Sequence, residues 1–359
     1  MQLFYGLFWV FFAALIGKSA GMHRRTKVLG KEERRATQLY AWLVILPLIF
    51  FAVTRSNYFA DTPQYIREYR SIPDDLGGTM TYIRTRTKDT GFYALSAVIH
   101  LFAGEHFRYF FLVIALIQGY CLMKTYRKYS DDYWFAMFAF VATTDYLSWM
   151  YNGIRQFTAV AITFAAADSV FRKKYVKAVI MIAFASLFHK TALMMIPIIF
   201  IVQGRPWNWK TLVIMLGTGV VMSASGAFTE TLDVMLADTQ YSNVVSDWTS
   251  WQDDGTNPLR VLVYSVPTIL SLFCRKKIIK EGGRVIQVAC NMSIMSSALY
   301  LISMVTSGIF MGRLPIYCSL YANGILLPWE LKHVFGKSIR MLAIVCYTGF
   351  FFMQVMLGW

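Results

Sequence analysis

Residues 38–54 read QLYAWLVILPLIFFAVT, an apolar run without a single charged side chain. Seven Lys and Arg residues precede it between Lys18 and Arg35, and Arg55 follows it. An apolar run of this length between charged flanks predicts a helix that crosses a bilayer. Similar runs recur along the chain, so the sequence indicates a polytopic integral membrane protein with the lipid bilayer as its solvent.

The composition excludes a water-soluble globular protein. Of 359 residues, 57% are hydrophobic and 15% are charged, whereas soluble domains have about 45–50% and about 25%. The formal charge is +15, but the basic residues gather in short segments between apolar runs, as the positive-inside rule requires of cytoplasmic loops. No nucleic-acid motif accompanies them, so no nucleic-acid partner is predicted.

The distribution of charge predicts the topology. We assign the basic segments to the cytoplasmic side and two polar segments, 55–90 and 228–257, to the outer side. The second of these has no Lys or Arg between residues 230 and 257 but carries six acidic side chains there. The cytoplasmic segments are 18–35, 124–128, 172–177 and 275–284. The chain is expected to form one polytopic domain over 1–359.

Two apolar stretches are too short for ordinary crossings. Residues 91–104 would form a helix of roughly 21 Å, against about 30 Å of hydrocarbon, so we expect a re-entrant or interfacial helix. Residues 176–203 are expected to form a short-armed hairpin that turns at Phe188, His189 and Lys190. The fold class is therefore all-α, with about 12 transmembrane helices. The remaining spans are predicted at 2–17, 38–54, 108–123, 133–150, 154–171, 211–227, 258–274, 285–310, 314–329 and 341–357.

The segment 152–156, NGIRQ, is a candidate anion site at the outer side. Arg155 lies on the first turn of a predicted helix, where the helix dipole favours a negative ligand. Asn152 and Gln156 add uncharged hydrogen-bond donors, so the three side chains would hold a phosphate or diphosphate. The alternative is an Arg that extends from a helix end to the membrane interface.

His189 and Lys190 form a second candidate site, because ionisable groups at membrane depth are costly and therefore indicate function. An imidazole can act as a general base on a sugar hydroxyl, and Lys190 would supply charge to a leaving group. A packing role for His189 in a hydrogen bond is the alternative.

Arg55 and Asp61 begin the first outer segment and form a third candidate site. Thr62 and Pro63 predict the N-cap and first residue of a short helix, and the alternative role for Asp61 is to help cap that helix. An amphipathic helix on lipid headgroups would use similar residues. Arg313, with Tyr317, lies at a further outer helix boundary, where it would join the anion site or anchor the helix.

The sequence contains no Walker loop, Rossmann glycine pattern, HExxH or GxSxG motif, which argues against ATP hydrolysis, redox chemistry and proteolysis. No cofactor is expected. The five cysteines lie within or at the ends of apolar runs without CxxC spacing, so no structural metal is predicted from them.

The order of these motifs resembles the EpsG family of Wzy-type bacterial polysaccharide polymerases. The resemblance spans about residues 55 to 320, and Asn-Gly-x-Arg-Gln followed some thirty residues later by Phe-His-Lys is its most specific part. Asp61 matches only with approximate spacing. The residues that carry it are Arg55, Asp61, Tyr65, Gly91, Phe92, Asn152–Gln156, Phe188–Leu193, Arg313 and Tyr317.

The resemblance implies a glycosyltransferase of the bacterial inner membrane that joins undecaprenyl-diphosphate-linked repeat units into an O-antigen, capsule or exopolysaccharide. Its site would face the periplasm or cell exterior and work without metal, and direct attack would invert the anomeric centre. His189 and Arg155 would be catalytic. Substrate would be bound by Arg55, Asp61, Asn152, Gln156, Lys190, Arg313 and Tyr317. A chain-length regulator protein is a possible partner.

Three alternatives remain open at this stage. A metal-dependent lipid-phosphate-sugar glycosyltransferase would use carboxylates of the first outer segment, namely Asp61, Asp74, Asp75 and Asp89. An integral membrane acyltransferase would use His189 as its base. A flippase for the lipid-linked repeat unit would need no catalytic His, although the two-half symmetry common in transporters is not evident in the sequence.

Overall fold

The computed structural model describes residues 2–19, 22–236, 255–308 and 310–356. The structure is mostly helical, at 79%, and divides into two compact units. The first unit comprises Met1–Ile196 with Lys337–Trp359, and the second comprises Pro197–Gly336. Most of the predicted outer segment 228–257, including residues 237–254, lies outside the described residues.

The helices and strands follow one another in this order. The chain begins with α1 (Gln2–Ser19), β1 (His23–Val28), β2 (Lys31–Ala36), α2 (Gln38–Thr54), α3 (Thr62–Arg70), α4 (Leu76–Arg84), α5 (Thr90–Ala103), α6 (Phe107–Tyr129), α7 (Tyr133–Ala142), α8 (Asp145–Tyr151), α9 (Ile154–Ala165), α10 (Ala167–Phe171) and α11 (Tyr175–Ser186). It continues with α12 (Met195–Ile201), α13 (Trp209–Ser223), α14 (Ser225–Leu236), α15 (Pro258–Glu281), α16 (Gly283–Met304), α17 (Ile316–Tyr321), α18 (Leu327–Glu330) and α19 (Gly336–Met356). Turns of 3₁₀-helix occupy Lys190–Met194 and Met311–Arg313, and π-helix occupies Ala322–Leu326 and Leu331–Phe335.

The strands β1 and β2 depart from the all-α prediction. They pair antiparallel from His23↔Ala36 to Val28↔Lys31. The turn between them places Leu29 at φ +47° and Gly30 at φ +87°, and two successive positive φ values are typical of the tight turns that match the twist of a hairpin. The predicted cytoplasmic loop 18–35 therefore contains an ordered hairpin.

Four helical segments in the described ranges are long and apolar enough to cross a membrane: Phe107–Tyr129, Pro258–Glu281, Gly283–Met304 and Met311–Met356. A fifth arises if α13 and the start of α14, which are bent by 99° at their junction, count as one span. Helix α2 matches its predicted bounds, 38–54, to the residue. The predicted total of about 12 crossings is not confirmed.

Both short stretches form short helices at the predicted positions. The stretch predicted at 91–104 is α5, a helix of 14 residues. The stretch predicted at 176–203 breaks after α11, and His189 there has extended backbone angles before the 3₁₀ turn begins. The break falls where the sequence predicts the hairpin turn.

Buried polar contacts hold α9 in place within the first unit. Gln118 of α6 is fully buried, and its Nε2 donates to the carbonyl of Ile154 at 3.2 Å and to Thr158 Oγ1 at 3.0 Å. Both acceptors belong to the first turns of α9. Because Arg155 lies on the same turn, this contact fixes the helix end that carries it.

The second unit has its own buried polar contacts. The Oγ1 of Thr268 in α15 lies 2.6 Å from Ser293 Oγ and 2.7 Å from Ser297 Oγ of α16. Glu330 is fully buried, and one of its carboxylate oxygens accepts from Cys274 Sγ at 3.5 Å. Hydrogen bonds between hydroxyl groups of this kind join neighbouring helices in an apolar setting.

Candidate functional site

Arg155 lies among aromatic rings and one carboxylate at the start of α9. Its Nη1 donates to Tyr93 Oη at 3.1 Å and approaches Asp89 Oδ2 at 3.4 Å. Its guanidinium carbon lies 5.7 Å from the centre of the Tyr65 ring. The side chain retains 27% exposure. Arg155 is therefore held in position while part of its cationic surface stays accessible.

The turn before α5 presents Asp89 to Arg155. Asp89 is the N-cap residue of α5, yet its side chain makes no capping hydrogen bond there. Its backbone has φ +50°, a left-handed conformation that Asp adopts more readily than most residues. Burial raises the pKa of Asp89, and the charges of Arg155 and then Lys190 act in the opposite direction. The Asp89 carboxylate therefore pairs with Arg155 and does not cap α5.

Gly91 connects this turn to the break after α11. Its N–H donates to the carbonyl of Leu187 at 2.8 Å. A Cβ at residue 91 would lie 2.7 Å from the Cβ of Leu187, so only glycine allows this approach. The contact brings the segment 187–190, with His189 and Lys190, beside the Asp89 turn.

His189 is half-buried, and its Nδ1 lies 2.7 Å from Thr191 Oγ1. This contact orients the imidazole ring. Lys190, the next residue, is exposed. The predicted general base and its neighbouring cation therefore stand at a helix break rather than within a helix.

The structure also joins two motifs that lie far apart in the sequence, around Asp61 and Asn152. The Asn152 side chain accepts a hydrogen bond from the backbone N–H of Asp61 at 2.9 Å. Helix α3 begins at Thr62, one residue earlier than the Thr-Pro pair predicts, so Asp61 and not Thr62 is its N-cap residue, without a capping bond from the Asp61 side chain. Asp61 is exposed. Asn152 therefore positions the first outer segment against the start of α9.

Arg55 is interior, with 4% exposure. Its Nε donates to Thr62 Oγ1 at 2.9 Å, and its Nη1 donates to the carbonyl of Ala52. The guanidinium carbon lies 3.9 Å from the centre of the Phe111 ring. Through these contacts Arg55 joins α2, α3 and α6, while its buried Nη2 has no hydrogen-bond partner among the described residues.

A small pocket opens beside Tyr65 and Tyr93. It holds about 10 Å³ that a water molecule can occupy, within about 200 Å³ of empty space that includes its mouth. Two groups at the pocket lack hydrogen-bond partners among the described residues: the hydroxyl of Tyr69 and Oε2 of Glu68. Tyr69 as a whole is 2% exposed. The lining is completed by Ile72, Tyr82, Phe92, Ser96 and Phe110. The pocket therefore has room for one water molecule or one hydroxyl group, with which Tyr69 and Glu68 could form hydrogen bonds.

The remaining predicted site residues lie in different settings. Gln156 is buried next to Arg155. Arg313 and Tyr317 belong to the second unit, where Arg313 is exposed on a 3₁₀ turn and Tyr317 is 1% exposed at the start of α17.

The four aspartates of the first outer segment have separate contacts. Asp74 pairs with His100 Nε2 at 3.0 Å, and Asp75 accepts from the N–H of Gly78 at 2.7 Å as the cap of α4. Asp89 pairs with Arg155, whereas the Asp61 backbone is held by Asn152. Among the described residues, no three His, Cys, Asp or Glu side chains are grouped as metal ligands.

Sequence reasoning missed Tyr93 and Glu68 and treated Asp89 only as a candidate metal ligand. Asp89 and Tyr93 flank the Gly91-Phe92 pair, which the resemblance had already singled out. That proximity is the signal that would have found them. Glu68 lies within a polar helix and carries no comparable signal in a single sequence.

The membrane-span candidates define a polytopic membrane protein, and Arg155 places a partly accessible cation at the start of α9. The EpsG family model matches residues 38–359. The chain therefore belongs to the EpsG family, a family of Wzy-type polysaccharide polymerase-like proteins. No curated protein and no solved structure matched the chain.

Proposed function

We propose that this protein polymerises a surface polysaccharide from undecaprenyl-diphosphate-linked repeat units at the outer face of the bacterial inner membrane. A hydroxyl of the acceptor repeat unit attacks the anomeric carbon of the donor glycan. The new glycosidic bond forms as the bond to the diphosphate oxygen breaks, and that oxygen leaves with the electron pair. The attack inverts the anomeric centre, and neither metal nor nucleotide takes part.

Arg155 is the group that stabilises the leaving diphosphate, and its geometry is the observation that carries the proposal. Contacts with Asp89, Tyr93 and Tyr65 hold the guanidinium in place while it stays partly accessible. A charge that is oriented before the reaction stabilises a developing anion without the cost of reorganisation. Lys190, whose charge lowers the pKa of Asp89, adds a second cation near that carboxylate.

His189 is the general base, taking the proton from the acceptor hydroxyl. Its ring is oriented by Thr191, and the Gly91–Leu187 contact places its segment next to the turn that holds Arg155. The pocket at Tyr69 and Glu68, which has room for about one water molecule, receives a single sugar hydroxyl beside this centre, because its unpaired groups suit a hydroxyl. Asn152 and Gln156 support the site, and Arg313 and Tyr317 contribute to substrate binding. A chain-length regulator protein is a proposed partner.

The test is polymerisation by the purified protein in nanodiscs with the lipid-linked repeat unit of its host, with and without a chelator. A chelator-resistant ladder of glycan lengths is expected. His189→Ala should abolish it and Arg155→Ala should reduce it about 10²–10³-fold. The matched controls His106→Ala and Arg84→Ala, both exposed residues of the same predicted side, should leave it intact.

Three outcomes would replace the proposal. A ladder that disappears with chelator and returns with a divalent cation would establish the metal-dependent glycosyltransferase. Transfer of an acyl group without chain growth would establish an acyltransferase. Movement of the lipid-linked unit between leaflets without any ladder would establish a flippase.

A further inference from the structure

A second guanidinium group, that of Arg86, lies beside the candidate site. Arg86 belongs to the segment between α4 and α5 that also carries Asp89. Its guanidinium carbon lies 4.4 Å from the centre of the Tyr82 ring and 4.7 Å from the centre of the Tyr93 ring. Its backbone N–H donates to the carbonyl of Ile83 at 3.2 Å. Cation–π contacts with two rings and a backbone hydrogen bond therefore hold Arg86 in position.

Tyr93 is shared by Arg86 and Arg155. The guanidinium carbon of Arg155 lies 5.9 Å from the centre of the Tyr93 ring, and its Nη1 donates to the Tyr93 hydroxyl at 3.1 Å. The two guanidinium carbons can be no further apart than the sum of their distances to that ring centre, 4.7 Å and 5.9 Å. A hydrogen bond from guanidinium to a phosphate oxygen spans about 2.7–2.9 Å, and a diphosphate has oxygens on both phosphorus atoms. Two guanidinium groups this close can hold one diphosphate between them.

Arg86 has no acidic partner, in contrast to Arg155. Arg155 pairs with Asp89, but no acidic side chain of the described residues forms an ion pair with Arg86. The Nε of Arg86 is buried and has no hydrogen-bond partner in that part of the chain. Burying a donor without an acceptor is costly. A half-buried cation with an unused donor therefore favours an anionic ligand at Arg86.

The surroundings of the two arginines carry an excess of positive charge. Burial raises the pKa of Asp89, whereas the charges of Arg155, Lys190 and Lys88 lower it and that of Glu68 raises it. Arg86 adds a further cation to this group. A diphosphate, with a negative charge on each phosphate, balances the excess in a way that a neutral sugar does not.

We propose that Arg86 and Arg155 form a two-arginine clamp that binds the diphosphate of the lipid-linked donor, with one guanidinium at each phosphate. This inference rests on the proposed function, in which a diphosphate is the leaving group. A planar guanidinium can donate two parallel hydrogen bonds to one phosphate, so a lipid monophosphate engages only one of the two arginines. The clamp therefore selects a diphosphate over a monophosphate.

The experiment follows the thermal unfolding of the full-length protein in neutral detergent with a chelator, during separate titrations with farnesyl diphosphate, farnesyl monophosphate and farnesol. The three probes share one prenyl chain and differ only in their phosphate groups. The wild type should bind the diphosphate at least about tenfold more tightly than the monophosphate, and farnesol should give no saturable rise in Tm. Arg86→Gln should lower the diphosphate affinity at least about tenfold and change the monophosphate affinity by less than about threefold.

The matched control is Arg84→Gln, which removes the same charge from an exposed residue of the same segment and should keep the preference for the diphosphate. Equal losses in Arg84→Gln and Arg86→Gln would show diffuse attraction and overturn the clamp. An undiminished preference in Arg86→Gln, or a wild type that binds both prenyl phosphates equally, would also overturn it. A lower Tm of Arg86→Gln without ligand, together with an undiminished preference, would show a structural role instead.

Arg86→Lys covers the case in which Arg86→Gln does not fold. It keeps a cation against the two rings but lacks the planar fork. Its Tm without ligand should equal that of the wild type, and its diphosphate affinity should be lower than that of the wild type. A wild-type preference for the diphosphate in Arg86→Lys would then overturn the clamp.

Ladder growth by the same proteins separates this inference from the proposed polymerase. A wild type that selects the diphosphate through Arg86 but forms no ladder would support the clamp and overturn the polymerase. A ladder from the wild type, with an unchanged KM for the repeat unit and an undiminished diphosphate preference in Arg86→Gln, would support the polymerase and overturn the clamp.

Discussion

Asp89 and Arg155 meet across 66 residues of sequence, with Oδ2 3.4 Å from Nη1. Asp89 adopts a left-handed backbone conformation to make this contact, which costs of order 1 kcal/mol for a residue other than glycine. The same turn also contacts the break after α11 through Gly91. One turn therefore links the guanidinium of Arg155 to the segment that carries His189.

Replacing Arg155 with Lys should reduce polymerisation at least about tenfold, and Arg155→Ala should reduce it about 10²–10³-fold. The ammonium group of Lys is a point charge without the planar fork of Arg, so it cannot keep both the Tyr93 and the Asp89 contacts in the same orientation. Initial rates of ladder growth measure the effect. A Lys variant with the wild-type rate would show that only a positive charge is needed at residue 155.

Asp89 should give the protein a distinct dependence of stability on pH. Burial raises the pKa of this carboxyl despite the opposing charge of Arg155. Its contribution to the free energy of unfolding is therefore fully present below the ordinary pKa of Asp, near 3.9, and is lost as pH rises through the higher folded pKa. Asp89→Asn cannot titrate. The Tm of the wild type minus that of Asp89→Asn should fall with rising pH from about 4 and then level off, and a constant or rising difference would contradict the assignment.

Arg55 should prove structural rather than catalytic. Arg55→Gln loses the Thr62 and Ala52 hydrogen bonds and the packing on Phe111, at an expected cost of about 2–3 kcal/mol. Thermal unfolding should show a lower Tm, whereas the exposed Arg84→Gln should change stability by less than about 0.5 kcal/mol. If Arg55→Gln keeps the wild-type Tm but raises the concentration of repeat unit needed for half-maximal rate, Arg55 contacts substrate.

The elements that the sequence predicted well are those with a long apolar pattern. Helix α2 matched to the residue, and the helix break at His189 fell at the predicted turn. The β1–β2 hairpin was missed because its strands are charged and lack an alternating apolar pattern. Its formation depends on the turn at Leu29 and Gly30 and on the burial of Arg35 against Asp131, and the latter is a contact between distant residues.

In the candidate site, too, the sequence predicted only the residues that have a local signal. Arg155, His189 and Asn152 stand out locally because polar groups beside apolar helices are costly. Their partners Asp89 and Tyr93 do not stand out in the sequence. The left-handed backbone of Asp89 and the contact of Tyr93 with Arg155 are seen only in the folded structure. Arg55 illustrates the converse: its charge drew attention, yet the structure surrounds it with protein acceptors and an aromatic ring.

Gly91 should not tolerate a side chain without loss of activity. In Gly91→Ala the new methyl group would lie 2.7 Å from Leu187 Cβ and 3.2 Å from the Leu187 carbonyl oxygen, so the turn and the His189 segment must separate. Overpacking of this kind costs about 1–3 kcal/mol, and the ladder should weaken more than the Tm shift alone explains, because two halves of the centre move apart. Gly217→Ala is the matched control, since nothing lies within 4 Å of its added Cβ and alanine favours helix by about 0.5–1 kcal/mol. Rates measured well below the Tm of each variant separate loss of catalysis from loss of stability. Full activity of a folded Gly91→Ala protein would show that the contact between the Asp89 turn and the His189 segment is dispensable for catalysis.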